Sequence, residues 1–300
     1  MRNGILLIDK PAGMTSAGLV AKVKRTLHAS RVGHAGTLDP DATGLLVILI
    51  NGATKVASYA ADGDKVYSGT IQLGVQTSTD DLSGEVLKRS DDIPCFADIE
   101  REAERLVGII EQVPPKVSAV KIGGKRAHKL SRQGADFEIE PRTVSIKQFL
   151  VLQESPTIIR YRVECSPGTY VRALARDLGN SLGCGGAAGL IRRERSGSLS
   201  VDDAISLEQV SWEKLKDWSI LIPHVPRIEL PQQLARAIHN GQRTALRDAE
   251  RLSVLAPLME SPGIFLYGAE GVGETMGILA VDEGRRLGFE LNLGLKPDSP

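Results

Sequence analysis

The chain has 300 residues, of which 42% are hydrophobic, 25% charged and 4% aromatic, and its formal net charge is zero. This length and composition exclude disorder as the default and allow one large domain or two smaller ones. The longest uninterrupted apolar stretch, Gly44 to Ile50, is too short to cross a bilayer. The apolar run at the N-terminus meets Asp9 and Lys10 almost at once, unlike a signal peptide, so we expect a cytoplasmic protein that contacts no membrane.

The zero net charge hides a segregation of charge along the chain. Residues 1–60 carry a net charge of +4, residues 61–112 carry −7, residues 113–195 carry +8 and the remainder carries −5. Two basic blocks on either side of an acidic one could fold into a basic cleft for nucleic acid. Chance fluctuation over solvated faces is the alternative, so charge alone leaves the partner open.

Apolar patterning predicts strands and helices that do not alternate regularly, which favours a mixed α+β sheet over a doubly wound one. In chain order, the predicted elements are a strand over 4–9, a helix over 17–29, strands over 45–50, 67–75 and 84–87, an amphipathic helix from Asp98 to the prolines at 114 and 115 with Ile110 on its inner face, strands over 143–153 and 158–165, and a helix starting near Thr169.

Two later segments have a different character. Residues 116–134 contain six Lys or Arg, one His and no acid, which indicates a mobile basic insertion. After Pro226 a short helix ending at Gly241 is followed by short strands between glycine-rich turns, which predicts a small, separate β-barrel of roughly 75 residues.

Two stretches of the sequence partly match cofactor-binding motifs, but neither matches fully. Gly183, Gly185 and Ala188 have the spacing of a dinucleotide fingerprint but follow a helix instead of a strand, and Lys125 is followed by Arg126 where a phosphate-binding loop needs Ser or Thr. The three cysteines are widely spaced and form no CxxC pair, so we expect neither a disulfide nor a metal. No cofactor is predicted.

The segment from Gly33 to Gly44, GHAGTLDPDATG, surrounds Asp39 with a histidine, three glycines and two threonines, and only Leu38 is bulky enough to cover the carboxylate. This composition suits an acid at the floor of a cleft. Asp39 also precedes Pro40, and an acid before proline is a common turn initiator, so a purely structural role is the alternative.

The whole segment resembles the signature of the tRNA pseudouridine-55 synthase family, in which the Asp of GHxGTLDP is the nucleophile. Nearly the whole chain shares the resemblance: KPAGMTS starts at Lys10, Lys65 and Tyr67 before GTIQLG match the KxY strand, CSPGTYVRALARDLG starts at Cys165 and IRRERSG starts at Ile191. The family usually has Leu in place of Ile191, and an uncharged residue is common at the position of Asp41. Neither departure removes a catalytic group.

The resemblance implies an α+β fold with a catalytic domain over residues 1–225, built on a mixed, mainly antiparallel sheet, with a basic thumb insertion at about 116–136. It also implies a PUA-like RNA-binding β-barrel over residues 226–300. The implied partner is tRNA, contacted on its T arm and acceptor side by a monomer that needs no metal, nucleotide or guide RNA.

The resemblance implies three catalytic residues. Asp39 is the nucleophile, the guanidinium of Arg172 keeps it ionised and aimed, and Tyr67 stacks on a flipped uracil and takes part in proton transfer at C5. The implied substrate-binding residues are His34, Asp81, Tyr170, Ile191, Lys10, Lys125, Arg126 and Lys129. Without the resemblance, a surface arginine, a half-buried strand tyrosine, a turn histidine and a solvated loop acid are ordinary alternatives.

These inferences predict a tRNA pseudouridine synthase that isomerises uridine 55 in the T loop by an Asp nucleophile and base flipping. The residues do not indicate whether Asp39 first attacks C1′ or the uracil ring. The rival hypothesis is a non-catalytic RNA-binding protein or tRNA-folding chaperone on the same scaffold, against which only the set Asp39, Tyr67 and Arg172 argues. A protein-interaction module would not need the basic insertion.

Overall fold

A computed structural model describes residues 2–118, 120–122, 125–127, 137–252, 255–256, 258–260 and 262–292. Its strands are β1 (Gly4–Lys10), β2 (Val32–Ala35), β3 (Thr43–Ile50), β4 (Lys65–Leu73), β5 (Val75–Thr77), β6 (Val86–Arg89), β7 (Gly108–Gln112), β8 (Lys121–Ile122), β9 (Lys125–Arg126), β10 (Arg142–Gln153), β11 (Ile158–Cys165), β12 (Gly186–Ser196), β13 (Leu199–Ser200), β14 (Arg227–Leu230), β15 (Gly263–Ala269), β16 (Thr275–Val281) and β17 (Leu287–Asn292). Its α-helices are α1 (Ser16–Leu27), α2 (Ala57–Ala61), α3 (Phe96–Arg105), α4 (Val171–Ser181), α5 (Gln232–His239) and α6 (Arg243–Ala249). None of the helices in these residues is both long enough and apolar enough to span a bilayer.

Within the described ranges, a nine-stranded sheet dominates the first part of the chain. Its strand order is β1-β3-β12-β4-β11-β10-β7, with β2 paired to β3 and β13 paired to β12. The pairing between β12 and β3 is parallel, whereas the other pairings of the sheet are antiparallel. The prediction of a mixed, mainly antiparallel α+β sheet is therefore confirmed.

The first strand is buried on both faces, which explains its unbroken apolar run. Ile5 and Leu7 join a core cluster on one face of the sheet, where Trp218 also lies. Leu6 and Ile8 point to the opposite face, where they pack against the apolar stripe of α1. Since β1 pairs with β3 along the whole length of β1, both strands form the rigid wall from which the loop that carries Asp39 projects.

Another core cluster lies between the sheet and the helices α3 and α4. Leu174 and Leu178 of α4 pack there with Ile99 of α3, as their helical spacing predicts. The predicted helix near Thr169 is confirmed, and it begins at Val171. This packing fixes the N-terminal end of α4 against the sheet.

In the central region one prediction was wrong and one strand was missed. The helix at Asp98 was expected to continue to the prolines, but it ends at Arg105 because Gly108 adopts a left-handed φ of 116° and the chain turns into β7. Ile110 therefore lies on a strand, opposite Val144 of β10. The strand β12 was not predicted at all, although it lies at the centre of the sheet between β3 and β4.

The C-terminal region forms an open sheet instead of the expected β-barrel. Its strand order is β14-β15-β16-β17, and β14 does not pair with β17 to close a barrel in the described residues. The predicted helix that ends before Gly241 is confirmed as α5, and α5 and α6 cover one face of this sheet. The division into domains at residue 226 stays a prediction.

The two regions share part of their core through Trp218. Its indole nitrogen donates a hydrogen bond to the Thr275 carbonyl at 3.1 Å, and Asp217 accepts one from the Thr275 amide at 3.0 Å. Leu266 and Ile278 of the C-terminal sheet belong to the same buried cluster as Trp218. The C-terminal sheet is thus packed against the nine-stranded sheet through a shared core rather than tethered by a linker alone.

We predict that Trp218→Ala lowers the free energy of unfolding by about 3–5 kcal/mol, because it opens a cavity at this shared core. The measurement is equilibrium unfolding in denaturant. Leu190→Ala is the control, since Leu190 is 72% exposed and its truncation should change stability by less than about 0.5 kcal/mol. Equal effects of the two substitutions would contradict the shared core.

Candidate active site

Strand β12, which contributes Ile191 and Arg193, and three other segments meet around a cavity of about 350 Å³. The three others are the loop between β2 and β3, the start of β4 and the N-terminal end of α4. The charged and aromatic side chains that line it belong to Asp39, Lys65, Tyr67, Tyr170, Arg172 and Arg193. Ile191 adds an apolar wall. The fold therefore brings five of the residues predicted for the site into one cavity.

The loop that carries Asp39 is held rigidly at both ends. The Ser16 hydroxyl donates to the Leu38 carbonyl at 2.9 Å and accepts from the Leu38 amide at 3.0 Å, next to Asp39 in the chain. At the other end, Gly44 has a φ of 97°, and a Cβ there would lie 2.3 Å from the carbonyl oxygen of Arg193. Only glycine permits this approach to β12.

The side chain of Lys10 also binds the loop that carries Asp39. The side chain is fully buried, and its ammonium group donates three hydrogen bonds to the carbonyls of Pro11 at 2.9 Å, Met14 at 2.6 Å and Pro40 at 2.8 Å. Burial lowers the pKa of Lys10, and the charges of Asp41 and Asp39 oppose this shift. Because all three protons are donated to carbonyls, Lys10 has the geometry of a residue that positions Asp39.

An ion pair joins Asp39 to Arg172. The Arg172 Nε lies 3.0 Å from Asp39 Oδ2, with the arginine side chain 6% exposed and the aspartate side chain 45% exposed. Burial in the cavity raises the pKa of Asp39, the charge of Arg172 lowers it, and Asp81 raises it further. The arginine thus offsets part of the cost of keeping a carboxylate ionised in a confined site.

Arg172 is itself held by three other acceptors. Its Nη1 donates to the Thr79 carbonyl at 2.9 Å and to Asp81 Oδ2 at 3.2 Å, and its Nη2 donates to the Val117 carbonyl at 2.9 Å. The other oxygen of Asp81 accepts from the hydroxyls of Thr79 and Ser83. Asp81 is not part of the cavity lining, so it acts through Arg172.

Tyr67 lies on β4 between two core clusters. Burial raises the pKa of its hydroxyl, while the charge of Arg193 and a hydrogen bond to Arg193 lower it. Tyr170 is fixed from behind by the buried side chain of Gln112, which accepts from the Tyr170 amide at 2.8 Å and donates to its carbonyl at 3.2 Å. Both aromatic residues are therefore positioned by polar neighbours.

His34 lies on β2 beside the site, outside the cavity lining. Its Nδ1 is buried and has no hydrogen-bond partner among the described residues. Burial lowers the pKa of His34, and the charge of Arg193 adds to this effect. The neutral imidazole is consequently favoured, which suits a stacking role better than an ionic one.

The basic insertion is described only in part. Lys125 and Arg126 form β9, which pairs with β8 in a short hairpin. Their side chains, and the whole of Lys129, lie outside the described residues. The stem of the insertion still contacts the site, because the Val117 carbonyl accepts from Arg172.

Sequence reasoning missed two cations of the cavity. Arg193 is 1% exposed, and it donates to the carbonyls of Leu45 at 2.7 Å and Gly36 at 3.0 Å. Burial lowers the pKa of Lys65 to about 8, with a further contribution from the charge of Arg193. Both residues stand in motifs that carry the family resemblance, the KxY strand and IRRERSG, and that is the signal that could have found them.

The sequence is similar to proteins of one known family. Residues 24–171 match the family described as TruB family pseudouridylate synthase (N terminal domain). Proteins named tRNA pseudouridine synthase B are similar to the chain: that of Ruegeria pomeroyi is 47% identical over 209 residues (69% of each chain), that of Thermobifida fusca 45% over 223 residues (71% of this chain, 76% of the relative), and that of Anaplasma phagocytophilum 39% over 259 residues (83% and 86%).

Solved structures share the fold at lower identity. A chain from a Cbf5-Nop10-Gar1 complex aligns with a TM-score of 0.67 at 20% identity, covering 97% of this chain and 84% of that chain. A chain from an H/ACA RNP bound to a substrate RNA containing 2′-deoxyuridine aligns with a TM-score of 0.62 at 19% identity, covering 96% of this chain and 83% of that chain. These similarities indicate a common architecture.

We predict that Lys10→Met lowers the free energy of unfolding by about 2–4 kcal/mol, because three partly buried carbonyls lose a charged donor. Equilibrium unfolding measures the effect. Lys22→Met is the control: Lys22 lies on α1 with its side chain 45% exposed, so its loss should cost less than about 1 kcal/mol. Unchanged stability of Lys10→Met would mean that Lys10 does not brace the Asp39 loop.

Proposed function

The chain belongs to the TruB family of pseudouridylate synthases, and from this premise we propose that it isomerises uridine 55 in the T loop of tRNA to pseudouridine. The observation that carries the proposal is the ion pair between Asp39 and Arg172, on the wall of a cavity that Tyr67 also lines. A carboxylate, a fixed counter-charge and an aromatic ring are the groups that this isomerisation needs.

The proposed reaction moves the sugar from one atom of the base to another. The bond between C1′ and N1 breaks, a bond between C1′ and C5 forms, C5 loses its proton and N1 gains one, so that no atom is gained or lost overall. Asp39 is the nucleophile, at C1′ or at the uracil ring, and it must be ionised to attack. Arg172 favours that ionised form against the effect of burial.

The cavity supplies confinement and the means to move the proton. Its volume of about 350 Å³ falls within the range of small-molecule sites, about 300–1,000 Å³, and a pocket of this size can hold the detached uracil beside the sugar. We assign the ring of Tyr67 to stacking on the base and its hydroxyl to proton transfer at C5. Tyr170 and Ile191 provide apolar walls for the nucleotide.

The target base must leave the stack of the T loop to reach the cavity. Extrusion costs a few kcal/mol, which contacts with the RNA phosphates offset. We assign these contacts to the basic insertion with Lys125, Arg126 and Lys129, and we place His34 against the RNA loop beside the extruded nucleotide. Residues 226–300 contact the acceptor side, the role implied by the resemblance to PUA domains.

We further propose that the protein works as a cytoplasmic monomer on free tRNA, without metal, nucleotide or guide RNA. Purified protein incubated with an unmodified tRNA transcript, with no other addition, should form pseudouridine at one position. Binding without conversion would favour the rival hypothesis of an RNA-folding protein on the same scaffold. Conversion at another position would support pseudouridine synthase activity but contradict the assignment of uridine 55 as the target.

We predict that Asp39→Asn folds and binds tRNA but forms no pseudouridine, because an amide cannot replace the carboxylate nucleophile. The measurement is pseudouridine mapping together with a binding titration. Asp41→Asn is the matched control, since Asp41 is exposed and only two residues away, and this variant should stay active. Turnover by Asp39→Asn would remove Asp39 from the role of nucleophile.

We predict that replacing Lys125, Arg126 and Lys129 together by Gln weakens tRNA binding and reduces the slope of log K against log salt by about 2–3, because up to three fewer counterions are released. The measurement is a set of binding titrations over a salt series. Replacing Arg101 and Arg105 by Gln on the acidic helix α3 is the control, and the slope should not change. If the triple variant also keeps its slope, the insertion does not bind phosphate.

A further inference from the structure

A second arginine stands one helical turn after Arg172 on the same face of α4. The Arg176 Nη1 lies 2.8 Å from Asp80 Oδ2, its Nη2 donates to the Val113 carbonyl at 2.8 Å, and its Nε donates to Asp177 at 2.9 Å. Its side chain is 17% exposed and that of Asp80 is 12% exposed. Arg176 does not line the cavity with Asp39 and contributes instead to a separate groove beside the stem of the insertion.

The partners of the two arginines are neighbours in the chain. Asp80 pairs with Arg176 and Asp81 pairs with Arg172, so consecutive carboxylates are anchored to consecutive turns of α4. Asp80 has a left-handed φ of 61°, an uncommon conformation that persists only where the surroundings hold it. The Ala188 amide donates to the Asp80 carbonyl at 2.9 Å, and the Leu82 amide donates to the Ala188 carbonyl at 3.0 Å. The ion pair with Arg176 holds the side chain of Asp80 in addition.

Both arginines also hold the stem of the basic insertion. Arg176 donates to the carbonyl of Val113 and Arg172 donates to the carbonyl of Val117. Apart from Asp39, the acceptors of Arg172 are Asp81, the Thr79 carbonyl and the Val117 carbonyl, and all of them belong to the two segments that Arg176 also ties down. The orientation of the Arg172 side chain toward Asp39 therefore depends on the contacts that Arg176 makes one turn further along α4.

We propose that Arg176 is a positioning residue for the reaction at Asp39: by holding Asp80 and the Val113 carbonyl, it keeps Arg172 aimed at the nucleophile. The inference rests on the proposed function. Arg176 touches no reacting atom, and its loss acts through displacement of the loop and of the insertion stem. A displacement of about 1 Å at a catalytic group can cost on the order of 100-fold in rate.

Arg176→Met and Asp80→Asn test the proposal, with kcat, KM and the pH profile of pseudouridine formation as readouts. We expect each variant to lower kcat roughly 10- to 100-fold with little change in KM for tRNA, the pattern of an interaction that matters in the transition state. The kcat of the double variant should be no lower than that of the slower single variant, because both substitutions break the same ion pair between Arg176 and Asp80. Arg160→Ala removes an exposed ion pair with Glu154 and serves as the control with unchanged kinetics.

The pH profile separates positioning from a general loss of structure. The charged groups that act on Asp39 are Arg172 on α4, Asp81 on the facing loop, Lys10 on β1 and Asp41 in its own loop. Arg172 is the strongest of them and lowers the pKa of Asp39. A less well aimed Arg172 lets that pKa rise, so the acid limb of kcat/KM should move to higher pH in both variants.

Carboxyl NMR of Asp39 in the free protein should show the same rise without any turnover. Unchanged kinetics in a folded Arg176→Met variant, or a slower rate with an unmoved acid limb, would overturn the proposal. If Arg176→Met fails to fold, the near-isosteric Asp80→Asn variant decides by the same criteria. A wild-type protein that forms no pseudouridine would refute the proposed function instead, and the titration of Asp39 would still test the positioning.

Discussion

The ion pair between Asp39 and Arg172 is the constraint around which the site is built. A nucleophilic carboxylate has to be charged, and a cavity that confines a detached base removes the water that would stabilise the charge. A guanidinium at 3.0 Å supplies the missing counter-charge, yet it is itself almost buried and needs acceptors for its other donors. The Thr79 and Val117 carbonyls and Asp81 satisfy that need.

Those acceptors connect the chemistry to the element assigned to RNA binding. Val117 belongs to the stem of the basic insertion, so a shift of the stem when RNA binds would reach Arg172 through a single hydrogen bond. Lys10 holds the opposite side of the loop that carries Asp39 through the Pro40 carbonyl. Asp39 is thus held on one side by the rigid wall formed by β1 and β3. On the other side it is held, through Arg172, by the stem of the basic insertion.

Local patterns predicted the elements with strong apolar periodicity, and non-local pairing explains most of the rest. The strands around Ile5 and the helix with Leu174 follow directly from spacing. The GHAGTLDP resemblance singled out Asp39 as the candidate nucleophile, and the structure places Asp39 in the cavity. The strand β12 is rich in arginine and forms only because β3 and β4 lie on either side of it, so neither it nor the buried Arg193 could be inferred from spacing. The barrel was expected from short strands between glycine-rich turns and from the family resemblance, and the strand pattern does not specify whether a sheet closes.

The charge segregation in the sequence partly reflects ion pairs within the fold and not only a basic cleft. The acidic block includes Asp80 and Asp81, and both pair with arginines of the basic block that follows it in the chain. Part of the excess charge in each block is therefore neutralised by ion pairs inside the fold, and these pairs hold α4 to the loop of Asp81.

Residues 116–134 carry six cations and no acid of their own, so the sequence concentrates in this insertion the positive charge that can meet phosphates. The neutral net charge is then compatible with an RNA partner, because affinity depends on the local charge that meets the backbone and not on the total.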